Sequence, residues 1–291
     1  RSSNWNSTLI PSYTTCWSQE RMKFQEKFIA SLDALGFKAY VRSAEVSAGN
    51  SLPGILEILK KLGSADERDH FGQYGPTICP DAPYLQKDLD FRFTQVSDCA
   101  VLSIEVSPAG VINLIDQCRR AVFRLLQSGA MCRGYITRGR IFHTENQFIG
   151  SGYEEAYEKE AQVAVFKREA DERGTPFVEV AGSVLEYVTN CEDACVKTMF
   201  KRMVRWDGDA AAVFPFKMLS HSFILGDFLG HEFNAKRERE SNRNMRLMIE
   251  KLIAGVRASA DPANPGAMRK TEHYIKALEA QIEICDGTDR V

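Results

Sequence analysis

The sequence predicts an α/β or α+β domain built on one β-sheet, followed by a helical C-terminal extension. Between residues 27 and 137, apolar segments of strand length alternate with segments of helical spacing, in the order strand, helix, strand pair, helix, strand. This order is typical of a sheet with helices packed on it. Beyond residue 197 the chain changes to long, charge-mixed segments of helical spacing. We therefore predict a flexible lead-in at 1–20, a sheet domain at 21–196 and a helical extension at 197–291.

The composition excludes several classes of protein. The 291 residues include 37 Lys and Arg against 39 Asp and Glu, which gives a formal net charge of −2. Such a balance provides no general attraction for nucleic acid or an anionic membrane, so we expect neither as a partner. No apolar run reaches the length of a membrane span, and the eight scattered cysteines are typical of free thiols that pack as small apolar groups. These features predict a cytoplasmic protein.

The first half of the predicted domain begins with a buried strand at 27–32, where apolar residues dominate. Residues 33–37 have the composition of a strand-to-helix turn. A helix is predicted at 52–62, because its apolar residues recur at helical spacing and Pro53 suits a first turn. The polar stretch at 64–87 contains three prolines and is typical of an exposed insert.

The second half begins with two strands, at 91–97 and 99–104, that join at Asp98. Ser107 and Pro108 then mark the start of a helix that continues to Gly129. The other predicted elements are a strand at 131–137, a helix that starts after Gly150, and two C-terminal helices at 232–253 and 268–284.

Asp33 and Asp98 are the candidate metal ligands. Each follows a hydrophobic strand, so both carboxylates would project from a rigid sheet edge, where they could share a hard divalent cation. Such cations neutralise the charge that develops when the α-phosphorus of a nucleoside triphosphate is attacked. Aspartates in these positions more often cap turns, and the spacing alone does not separate the two roles.

Three sequence segments indicate a family. They are FIASLDALGFK from Phe28 to Lys38, FTQVSDCAVLS from Phe93 to Ser103, and MCRGYITRGRIF with FIGSGYEEAYEKE between Met131 and Glu160. In their order and spacing they resemble the pyrimidine cyclases of the Pycsar antiphage systems, a branch of the class III nucleotide cyclase superfamily. The resemblance implies a ferredoxin-like class III nucleotide cyclase catalytic domain within the predicted α+β fold.

The resemblance also implies roles for individual residues. Asp33 and Asp98 would be catalytic and would bind two Mn²⁺ or Mg²⁺ ions, with the carbonyl oxygen of Ala34 as a further metal ligand. The nucleotide would be bound by Phe28, Leu35, Gly36, Phe37 and Arg133. Independently of the resemblance, Arg133, Arg138 or Arg140 could each supply positive charge for the triphosphate, because their strand ends near the carboxylates.

Two departures from the adenylate and guanylate cyclases favour the pyrimidine branch. Those enzymes keep a Lys four residues before the second Asp, where this chain has Thr94. They also follow a glycine turn with an Asn and an Arg, where this chain has Ala156 and Glu160. Tyr40 and Thr94 are the candidates for base specificity.

The resemblance implies a uridylate cyclase that converts UTP to 3′,5′-cyclic UMP and pyrophosphate, a second messenger in antiphage defence. The site would be shared between the two copies of a homodimer, and a separate effector protein would recognise the product. Two alternatives stay open: a cytidylate cyclase that makes cyclic CMP from CTP, and a catalytically silent nucleotide-binding sensor.

Overall fold

The computed structural model describes residues 23–47, 51–63, 88–215 and 234–289. The strands are β1 (Gln25–Leu35), β2 (Arg92–Val96), β3 (Cys99–Glu105), β4 (Met131–His143), β5 (Phe148–Ile149), β6 (Val178–Val180), β7 (Val204–Asp207) and β8 (Ala210–Val213). The helices are α1 (Phe37–Glu45), α2 (Leu52–Leu59), α3 (Pro108–Gln127), α4 (Ser151–Glu160), α5 (Gly182–Asn190), α6 (Ala194–Met203), α7 (Ala235–Ser259) and α8 (Pro265–Asp289). The predicted lead-in at 1–20 and insert at 64–87 lie outside the described residues.

The eight strands within these described ranges belong to one sheet, in the order β2-β3-β1-β4-β6-β8-β7, and β5 pairs with β4. Every pairing is antiparallel except that of β4 with β6. A mixed, largely antiparallel sheet with packed helices is compatible with the predicted α+β class. β1 lies between β3 and β4, and its residues from Lys27 to Leu32 are all buried. Because side chains alternate between faces along a strand, both faces of the sheet are covered at β1.

The two faces of β1 contact different clusters. Phe28, Ala30 and Leu32 belong to the main hydrophobic core, which also contains the apolar face of α3. Ile29 points the other way, into a small cluster with Ala156 of α4. Helices therefore cover both faces of the sheet, and Asp33 lies on the same face as Ile29 by alternation.

The structure confirms the helix that the sequence predicts after Ser107. Its hydroxyl oxygen accepts a hydrogen bond from the Gly110 N–H at 2.9 Å, and Pro108 occupies the first turn of α3. Gly129, with φ of +76°, follows the end of the helix. The cap, the first-turn proline and the terminal glycine thus occupy the positions that favour each residue type.

The segment after residue 197 is not helical throughout. It contributes β7 and β8 to the sheet. Each of these strands has only four residues, which are too few to show a clear alternation of apolar and polar residues in the sequence. The predicted C-terminal helices correspond to α7 and α8. α7 begins at Ala235 rather than at 232 and continues past the predicted end, and α8 extends beyond its predicted range at both ends. Ile249 and Val256 of α7 and Ile275 of α8 are buried in the main core. The C-terminal helices therefore share one core with the sheet.

Two further observations concern membrane-spanning helices and the cysteines. Within the described ranges, no helix is both long enough and apolar enough to span a membrane. Cys99, Cys118, Cys132, Cys191 and Cys285 are free thiols, whereas Cys195 is disulfide-bonded, in contrast to the free thiols that the scattered cysteines predicted.

Candidate functional site

Strand register brings three candidate residues to one end of the sheet. Asp33, near the end of β1, lies opposite Cys99 of β3 and Arg133 of β4. β2 and β3 are joined by the two-residue turn Ser97–Asp98, and the carbonyl oxygen of Asp98 accepts a hydrogen bond from the Ala34 N–H at 3.0 Å. This bond fixes the hairpin tip against the end of β1. The two aspartates that the sequence paired are therefore neighbours.

Asp33, Asp98 and Cys99 form a potential cation site. One ligand atom from each lies within 4.8 Å of the other two. The Cys99 thiol donates to Asp33 Oδ1 at 3.7 Å, and burial together with the nearby carboxylates raises the pKa of Cys99 to about 12. Because the thiol stays protonated at neutral pH, the carboxylate oxygens are the effective ligands. Such oxygen donors fit Mg²⁺ or Mn²⁺ better than a thiolate-preferring metal.

Arg133 links the two acidic elements of the site. Its Nη2 lies 3.2 Å from Asp33 Oδ2 and 2.6 Å from Oε1 of Glu160, the last residue of α4. Burial raises the pKa of Asp33, and the charge of Asp98 adds to that increase, while Arg133 opposes it. Burial and the charge of Asp33 likewise raise the pKa of Glu160. One guanidinium therefore does not compensate for the carboxylates around it, and a further cation would be stabilised there.

The turn after β1 has the geometry of an anion site. Gly36 is the N-cap of α1, and its φ of +86° is a conformation in which other residues are strained. No side chain caps the helix, so N–H groups of its first turn, which begins at Phe37, are available to a ligand. N-terminal amides with the helix dipole favour negative charge, and phosphates bind at such positions.

A cavity of about 580 Å³ adjoins this turn. Leu35, Gly36 and Tyr40 line one side, and the connection between α7 and α8 lines the other, together with Lys270 of α8. The hydroxyl oxygen of Tyr40 is buried and has no hydrogen-bond partner among the described residues. The volume is within the range of small-molecule sites.

Other residues singled out from the sequence lie elsewhere. Phe28 is fully buried in the core, with its ring 5.0 Å from that of Tyr187. The Thr94 hydroxyl is hydrogen-bonded to Nε2 of His143 at 3.0 Å and to the carbonyl oxygen of Glu145 at 3.3 Å.

The two alternative arginines lie toward the opposite end of β1. Arg138 pairs with Glu26 at 3.1 Å, and Arg140 is exposed opposite the same residue. Of the three arginines, Arg133 alone is brought to the aspartates.

No protein-family model matches the chain, and no curated protein sequence matches it. The functional interpretation therefore depends on the residues and their geometry.

Sequence reasoning did not assign Cys99, Glu160 or Lys270 to the site. Cys99 carries a local signal, since it follows Asp98 at the start of a strand. In the sequence, Glu160 is notable only because it occupies the position of an Arg in purine cyclases. In the structure its carboxylate accepts a hydrogen bond from Arg133. Lys270 has no local signal, because only the packing of α8 brings it near the other residues.

Proposed function

We propose that this protein is a pyrimidine nucleotide cyclase that converts UTP to 3′,5′-cyclic UMP and pyrophosphate. The observation that carries the proposal is the pair Asp33 and Asp98, joined in one possible cation site directly before the uncapped N-terminus of α1. A cation site beside a phosphate-binding helix terminus suits a metal-bound triphosphate.

The strand connectivity supports the same proposal. β4, β1, β3 and β2 are adjacent in this order and each neighbouring pair is antiparallel, with helices inserted between β1 and β2 and between β3 and β4. This is the ferredoxin-like order that a class III cyclase domain would have. In that order the end of β1 and the tip of the β2–β3 hairpin lie side by side, as both aspartates require.

In the proposed reaction, the ribose 3′-oxygen attacks the α-phosphorus and the bond to the β-phosphate oxygen breaks. Pyrophosphate leaves, and the 3′-hydroxyl proton passes to solvent. Divalent cations, when bound, lower the pKa of that hydroxyl and neutralise the phosphate charge. Asp33, Asp98 and the Ala34 carbonyl would hold two Mn²⁺ or Mg²⁺ ions, while the Leu35-Gly36-Phe37 turn orients the phosphates.

The remaining parts of the proposal follow the family resemblance. Two copies would form a homodimer with shared active sites, so that each copy contributes to binding of the base and ribose. The cyclic product would act on a separate effector protein in antiphage defence. UTP is the preferred substrate in this proposal, and CTP is the alternative.

A nucleotide-binding sensor without turnover is the second candidate. The contact between Arg133 and Asp33 favours it, because a guanidinium already neutralises part of one proposed metal ligand. In a cyclase, by contrast, Arg133 would turn toward the triphosphate once cations bind Asp33.

The two candidates are separated by incubating the purified protein with each of the four ribonucleoside triphosphates and Mn²⁺ and resolving the products by chromatography. A cyclase yields a cyclic pyrimidine nucleotide and pyrophosphate, and Asp33→Ala and Asp98→Ala each abolish the product. Asp209→Ala is a matched control, since this exposed residue also lies in a two-residue hairpin turn, between β7 and β8. Binding of a triphosphate without turnover would favour the sensor.

A further inference from the structure

Lys270 connects the C-terminal helices to the candidate site. It lies near the start of α8 and lines the cavity beside Leu35 and Gly36. Its ammonium group interacts electrostatically with Asp33 and Glu160. A side-chain carbon placed on Gly174 would lie 3.1 Å from Nη1 of Arg133 and 3.6 Å from Nζ of Lys270, so both cationic groups approach the same glycine. Lys270 therefore shares the electrostatic environment of Asp33 and Glu160.

Lys270 is also a cation without a dedicated counter-ion. Among the described residues, no carboxylate lies within salt-bridge distance of its Nζ, and no acceptor within hydrogen-bond distance. Its side chain is half-buried. A half-buried ammonium group without a bonded protein partner has hydrogen-bond donors free for an anionic ligand. Gly36, the N-cap of α1, lines the same cavity, and the positive end of the helix dipole there also favours an anion.

We infer that Lys270 binds the triphosphate of the substrate and that the C-terminal segment thereby completes the phosphate site of its own chain. The inference rests on the proposed function and adds to it a residue far in sequence from the segments that suggested the family. Lysine suits this role because its flexible ammonium group acts as a point charge on phosphate oxygens. The helices α7 and α8 hold it there through their place in the main core.

The test compares Lys270→Gln, Lys270→Arg and the control Lys276→Gln, an exposed lysine on the same helix. Each variant is assayed for triphosphate turnover with Mn²⁺. Binding of inorganic tripolyphosphate is measured separately by calorimetry, without metal. We expect Lys270→Gln to raise KM at least about 10-fold, with a much smaller change in kcat, and to weaken tripolyphosphate binding by a similar factor, as for a lost charged hydrogen bond. Lys270→Arg should restore most of both, and Lys276→Gln should change neither.

The outcomes separate this inference from the proposed function. An active wild-type protein with unchanged KM and tripolyphosphate binding in Lys270→Gln would overturn the role of Lys270 and leave the cyclase proposal intact. Loss of binding in both Lys270 variants, with a lower melting temperature, would mean a structural role and would also overturn it. Tripolyphosphate binding that depends on Lys270, in a protein that converts no triphosphate, would support the phosphate site and contradict the cyclase.

Discussion

The two ends of β1 each hold a charge cluster, and the clusters are balanced differently. At the start of the strand, Lys27 is 2% exposed and its Nζ lies 2.6 Å from Asp90 Oδ2, while Arg92 lies 2.9 Å from Oδ1 of the same carboxylate. We call Lys27, Asp90, Arg92 and Glu105 the paired end. We call Asp33, Asp98, Cys99, Arg133, Glu160 and Lys270 the carboxylate end.

The pKa shifts show how the two ends differ. Burial would raise the pKa of Asp90, but its hydrogen bond with Lys27 and the charges of Lys27 and Arg92 outweigh burial and lower it. At the carboxylate end, burial raises the pKa of Asp33 and the single contact with Arg133 does not reverse the shift. Charges that stabilise a fold are compensated by their neighbours, whereas charges left uncompensated are typical of functional sites. The comparison thus supports a structural role for the paired end and the proposed ligand binding at the carboxylate end.

The largest expected effect is the loss of stability when the ion pair at the paired end is broken. Asp90→Asn leaves the Lys27 ammonium group buried without its counter-ion. We expect the free energy of unfolding to fall by about 3 kcal/mol, which is at the lower end of the cost of breaking a buried ion pair. The lower value applies because the negative charge of Glu105 stays near Lys27. Urea denaturation measures this loss. The exposed pair of Glu57 with Lys60, at 2.7 Å, is the control, and Glu57→Gln should produce no measurable change. Equal effects of the two substitutions would contradict the structural role of Lys27.

The next prediction concerns metal at the carboxylate end. Mn²⁺ at about 100 times its dissociation constant should stabilise the wild-type protein by about 2.7 kcal/mol, since it binds only the folded state. Asp33→Asn and Asp98→Asn should each remove most of this gain, because each replaces a charged carboxylate ligand by a neutral amide. Thermal unfolding with and without Mn²⁺ measures it. Asp90→Asn should retain the full shift, and a shift that persists in both carboxylate-end variants would place the metal elsewhere.

Local sequence signals predicted one half of the carboxylate end. Asp33 lies within β1, which continues to Leu35 rather than ending at the predicted residue 32, and Asp98 lies in the two-residue turn that joins β2 to β3. The register between β1 and β3 then places the two aspartates close to each other. These are short-range features, so the aspartates, the turn at Gly36 and the order of the first elements could be predicted from the sequence.

The other half depends on packing between distant segments. The positions of α4 and α8 bring Glu160 and Lys270 close to Arg133 and Asp33. The pattern of apolar residues in the sequence does not predict where these helices pack. Thr94 shows the converse case. The family resemblance made it a candidate for base specificity, and no signal in the sequence indicates that its hydroxyl is hydrogen-bonded to His143. Side-chain partners of this kind are set by the tertiary fold, which motif spacing does not encode.

The smallest predicted effect is a pH dependence of stability that comes from His143, next to the paired end. His143 is buried beside it, with Nδ1 2.8 Å from the Ser103 hydroxyl oxygen. Burial, with the charges of Lys27 and Arg92, lowers the pKa of His143 to about 4. The unfolded chain binds this proton near pH 6.5 and the folded protein only near pH 4, so stability is complete above pH 6.5 and is lost as pH falls. From pH 7 to pH 5 the loss from this residue is about 2 kcal/mol.

Urea unfolding of the wild-type protein and His143→Gln at both pH values isolates this contribution. The variant stays neutral, so its loss of stability between pH 7 and pH 5 should be smaller by the amount that His143 contributes. Asp33 and Glu160 act in the opposite direction, because a raised pKa in the folded state means that stability is lost as pH rises. Their contribution is the same in both proteins and cancels in the comparison. An identical pH dependence of the two proteins would show that His143 is protonated without penalty, and the paired end would then not be the rigid, desolvated cluster that its contacts indicate.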